Sequence, residues 1–122
     1  MLIMARRNRQ FIEENFAAAT HAVCARLDTT HSEELRDVSP EQREKITQAV
    51  FDRMHEWTVN HLPMGAPAHI SEEFLRKGLH AAQQQVKAAP PAGCDPITVL
   101  TVISCLFSII GWLKRWFSGE ES

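Results

Sequence analysis

Between positions 97 and 113 the chain reads ITVLTVISCLFSIIGWL, seventeen residues without one charged side chain. No other feature restricts the fold as strongly, because a segment this apolar must be hidden from water, in lipid or inside protein. As a helix it measures ~26 Å at 1.5 Å per residue, and ~32 Å if continued through Phe117, which brackets the ~30 Å hydrocarbon layer of a bilayer. Its four Ile, two Val, three Leu and one Phe favour insertion by about 3 to 6 kcal/mol together, before the Thr, Ser and Gly positions subtract from that. Trp112 and Trp116 beside Lys114 and Arg115 have the chemistry of a membrane-interface anchor, with aromatic rings at headgroup level and cationic heads in water. The spacing therefore predicts that residues 97–117 form one C-terminal transmembrane helix.

The polar positions inside this segment are not scattered. Thr101, Ser104, Ser108 and Gly111 step by 3, 4 and 3, with Thr98 preceding in nearly the same direction. In lipid, small residues on one face let helix backbones approach and let hydroxyls bond across helices, so the stripe predicts self-association into a homo-oligomer. The same stripe could line a narrow polar pore if several copies faced inward. The competing expectation is that residues 97–113 are the central helix of a helical bundle, or of a virion or multisubunit assembly that buries them between subunits.

The rest of the chain is ordinary by comparison. Of 28 charged residues, 24 precede position 97, and a mean hydropathy of −0.22 conceals that asymmetry. A net charge of −2 points away from nucleic acid as a partner, and the apolar content of 44% is too high for a wholly disordered chain. Three cysteines, Cys24, Cys94 and Cys105, without a CxxC pair, build neither a complete disulfide framework nor a four-thiolate zinc site, and fit a reducing compartment. The first nine residues, MLIMARRNR, lack the apolar stretch of a secretory signal after their basic residues.

Three amphipathic helices are expected before the apolar segment. Over residues 8–27, Ile12, Phe16, Ala19, Val23 and Leu27 fall on one face. The polar stretch at 28–37 interrupts this pattern, with a short turn around Leu35. Ser39 as N-cap, Pro40 at the first helical position and Gln42 three residues after the cap start a second helix over 40–61, with Ile46, Val50, Met54 and Trp57 inward. After a Pro/Gly loop at 62–69, Ser71 caps a third helix over 72–88, with Ile70 placed to staple onto Leu75 and with Leu79, Ala82 and Val86 continuing the face. Gly78 weakens that helix by roughly 1 kcal/mol relative to Ala unless packing compensates.

The domain organisation read from these signals is an all-α, three-helix head over 1–88, a Pro/Gly spacer over 89–96, the hydrophobic helix over 97–117 and a polar tail over 118–122. With no signal peptide, the head should stay in the cytosol, although Lys114 and Arg115 directly after the helix argue for the opposite orientation by the positive-inside rule. The arrangement resembles tail-anchored proteins as an architectural class, which implies no residue roles.

Catalytic and metal motifs do not assemble. His55-Glu56 begins like HExxH, but the next histidine is His61, and six residues turn it ~120° away on a helix. His21 and Cys24 offer at most two metal ligands, and Asp52-x-x-His55 lacks the partner carboxylates of a di-iron bundle. No Gly-rich phosphate loop or GxSxG is present. The expectation is a non-enzymatic chain without cofactor or small-molecule substrate, whose partners are the lipid bilayer, other copies of itself and a protein bound by the head.

Overall fold

The computed structural model describes residues 2–61 and 71–117, with side chains from residue 14 onward. The chain is all-helical, with five helices among the described residues: α1 Leu2–Thr30, α2 Pro40–His61, α3 Glu72–Ala88, α4 Pro96–Ser108 and α5 Ile110–Phe117. Helix α1 begins six residues before the expected position 8 because Leu, Ile, Met, Ala and Arg at 2–7 are all tolerated or favoured in helices and no breaker intervenes. The loop at 62–69, the Ile70 staple and the tail at 118–122 lie outside the described residues.

The helix starts follow their local chemistry. At α2 the capping box closes reciprocally, the Gln42 amide donating to Ser39 Oγ at 3.2 Å and the Ser39 amide to Gln42 Oε1 at 3.2 Å. At α3 the Phe74 amide donates to Ser71 Oγ at 3.1 Å, and at α4 the Thr98 amide donates to Asp95 Oδ1 at 2.7 Å. The α1–α2 connection is pinned by Arg43, whose guanidinium bonds the Leu35 carbonyl at 2.7 Å and the Val38 carbonyl at 3.0 Å while pairing with Asp28. Leu35 and Val38 are thereby held as apolar plugs in the core.

Residues 97–117 are not the single transmembrane helix that length and composition suggest. Among the described residues no single helix is long and apolar enough to cross a membrane; α4 and α5 meet the criterion only as a pair, bent by 63°. The bend falls where the local sequence permits one. Ser108 Oγ donates to the Ser104 carbonyl at 3.2 Å, and such back-bonding competes with the helical ladder at its end. Just after Ser108, Ile109 leaves helical geometry at φ −104°, ψ 14°, and its amide bonds Leu106 three residues back, at 3.2 Å. Gly111 follows, so the kink sits in a Ser-x-x-Gly setting.

The bend turns one apolar stripe continuously inward. Val99, Val102, Ile103 and Leu106 on α4, then Ile109, Ile110, Leu113 and Phe117, are all buried in the same cluster as Phe16, Leu27, Val50, Met54, Leu75 and Leu79. Helix α4 packs against α2 and α3, and α5 against α3 and α1. The end of α5 is fastened to α1: the Phe16 and Phe117 rings lie 4.7 Å apart, and Asn15 Nδ2 donates to the Phe117 carbonyl at 3.4 Å. Where the sequence suggests a division at 89–96, the core runs across it. Each large apolar side chain buried this way contributes about 1.5–3 kcal/mol, so the last two helices are a major part of what stabilises the first three.

Candidate functional site

With its apolar stripe turned inward, α4 presents the opposite stripe outward. Ser104 and Ser108 are exposed, and Thr98 and Thr101 half-buried. Beside them stand Ile97 at 78% and Leu100 at 36% of full exposure, the exposed large hydrophobics among the described residues. The hydroxyls of Thr101 and Ser108 already donate within the helix, so they present small, locally satisfied surfaces that let another backbone come close. Thr101, Ser104 and Ser108 of the expected stripe thus share one outward face, with Thr98 half-buried at its edge.

Gly111 does not join them. It lies past the bend on α5, where a Cβ would come within 3.1 Å of the Glu72 carboxylate, the movable end of a side chain on the first turn of α3. The two tryptophans among the expected interface anchors pack against the core. Trp112 is half-buried against the core with the Arg26 guanidinium carbon 5.6 Å from its ring centroid, and Trp116 meets Phe117 edge-on at 5.4 Å. Lys114 is half-buried and Arg115 exposed on the same short helix.

One further element of this face is not legible from the stripe. A pocket of about 80 Å³ opens beside Leu100, lined by Lys87, Pro90, Pro96, Val99 and Leu100. It arises because the proline-bounded spacer leaves α3 at Ala89 and turns through Gly93, at φ 82°, to re-enter the helical layer at Pro96. The paired prolines at 90–91 signal a rigid spacer, but its closure against α4 depends on the tertiary path.

Elsewhere, a larger recess of about 350 Å³ lies between α1 and α2, among Thr20, His21, Cys24, Arg43, Glu44 and Gln48. Burial pushes the Cys24 thiol above its ordinary pKa, which keeps it protonated and weakly nucleophilic at neutral pH. Arg43 is occupied by Asp28 and the loop carbonyls, so the recess offers neither an activated thiol nor a free guanidinium. Among the described residues no three His, Cys, Asp or Glu side chains gather to hold a metal. His55 stacks on Phe16 at 5.4 Å and His61 on Trp57 at 4.3 Å, each imidazole packed as an aromatic surface.

Compared with family models, curated proteins and solved structures, the chain finds no match.

Proposed function

We propose that this chain is a non-enzymatic helical interaction protein that self-associates through the outer face of α4, as an adaptor or as a subunit of a larger assembly. The observation that carries this reading is the exposure of Ile97 and Leu100 on the same face as Thr101, Ser104 and Ser108, within a segment that has no charge. With Val99 and Val102 facing the core, the helix turns Ile97 and Leu100 to water next to small residues, a combination that favours burial against another helix.

The apolar length that would otherwise favour a bilayer is already buried against α1–α3, so an assembly subunit accounts for the segment with its packing intact. Sedimentation velocity of the full chain from low to high micromolar concentration tests the proposal. The sedimentation coefficient is expected to rise with concentration, and a monomer throughout would overturn it.

A second reading retains the membrane as partner, with residues 1–88 on the cytosolic side. It is favoured by one observation: α4 and α5 together have the length and composition of a broken span. Insertion in this form requires the pair to leave Phe16 and the shared core. Flotation of the full chain with anionic vesicles, resistant to high salt and carbonate, is the outcome expected of that reading, and recovery in the unbound fraction would reject it.

A further inference from the structure

The outer face of α4 carries a projection and a recess side by side. Ile97, at 78% exposure, is the projection. The recess is the pocket of about 80 Å³ walled by Leu100, one turn further along, and by Pro90, Pro96 and buried Val99. Two prolines and a helix make those walls stiff, so the pocket is preformed. Lys87 supplies the one charge of the lining and is exposed. Two residues before the projection stands Asp95, also exposed, with Oδ1 receiving the Thr98 amide. Among the described residues neither Lys87 nor Asp95 makes an ion pair.

We propose that the occupant of this face is a second copy of the chain, related by a two-fold axis, each copy inserting Ile97 into the other's Leu100–Pro90–Pro96 pocket and bringing Asp95 to the other's Lys87. This rests on the self-association reading above and specifies its geometry. Charge and shape on this face are complementary within one chain, which favours a like partner. The projection is flanked by an anion and the recess by a cation, and a two-fold interface requires that whatever residue i meets on residue j is met again by j on i. A copy satisfies both halves at once. The apolar exchange supplies the affinity, and the two exposed ion pairs fix the register.

The test is sedimentation equilibrium on the full chain. Ile97→Asp places a charge in an apolar pocket and is expected to weaken association more than tenfold, with far-UV circular dichroism unchanged because the side chain is exposed in the monomer. Lys87→Glu and Asp95→Lys are each expected to weaken it by roughly three- to tenfold, since each sets like charges opposite one another at both ends of the interface. Mixing the two single variants restores opposite charges at both ends and is expected to associate more tightly than either variant alone, which chains misfolded by loss of the Asp95 cap could not do. A mixture no tighter than either variant alone overturns the exchange. So does wild-type affinity in Ile97→Asp, which would leave self-association standing on another surface; a wild-type chain that stays monomeric removes both.

Discussion

Arg43 shows how much of a helical connection can depend on one side chain. Its guanidinium holds the Leu35 and Val38 carbonyls and Asp28 together, at 15% side-chain exposure, and so keeps two apolar plugs in the core. Lysine carries the charge but not the planar fork, so Arg43→Lys is expected to leave the turn carbonyls unpaired and to lower stability by about 1–3 kcal/mol in urea denaturation. A change below ~0.5 kcal/mol would mean that the 31–38 turn is held by its apolar plugs alone. The sequence pattern marks Leu35 as apolar within a polar stretch, but an arginine that caps carbonyls five and eight residues upstream has no periodic signature. Gly78 is a partial counterpart. Its cost to α3 is visible in the sequence, whereas its compensation is spatial: the Trp57 ring lies where a Cβ would come within 3.1 Å.

At the scale of elements, the starts of α2 and α3 are legible because caps and a first-turn proline act locally, within three or four residues. The destination of α4 is not. The positions 98, 101, 104, 108 and 111 that read as a helix–helix stripe in lipid are the complement of 99, 102, 103, 106 and 110, and a helix with one apolar and one small polar face is equally an amphipathic helix packed on a core. Periodicity gives the two faces but not the medium that each one meets. The break at Ile109 was similarly hidden, since Ser and Gly permit a kink without requiring one, and the buried positions on both sides of it select the bent form.

The start of α4 also carries a pH dependence. The Thr98 amide bonded to the Asp95 carboxylate holds its pKa below the usual carboxylate value. A lowered folded-state pKa means that the stabilisation is present above the unfolded-state value and is lost as pH falls through the folded-state value. Asn can cap without titrating. Wild-type melting temperature is therefore expected to fall relative to Asp95→Asn as pH drops below the ordinary aspartate range, and parallel curves for the two proteins would show that the cap does not contribute.

In the molecule as a whole, the most apolar segment turns inward to complete the core of α1–α3 and, in the proposed dimer, outward through Ile97 and Leu100 with Thr101, Ser104 and Ser108 beside them. The inward use decides the rest, because only when Val102, Ile103 and Leu106 face the core does the hydroxyl stripe face out. Native-state amide hydrogen exchange on the full chain without detergent tests this most directly, with Ile103→Ala as the perturbation. Amides of residues 102–106 are expected to be protected to the same free energy as those of residues 46–54 in α2, and Ile103→Ala to lower both together by about 2–5 kcal/mol. Fast exchange across α4 with α2 still protected and indifferent to the substitution would contradict it, and would mean that the apolar segment is not part of the core.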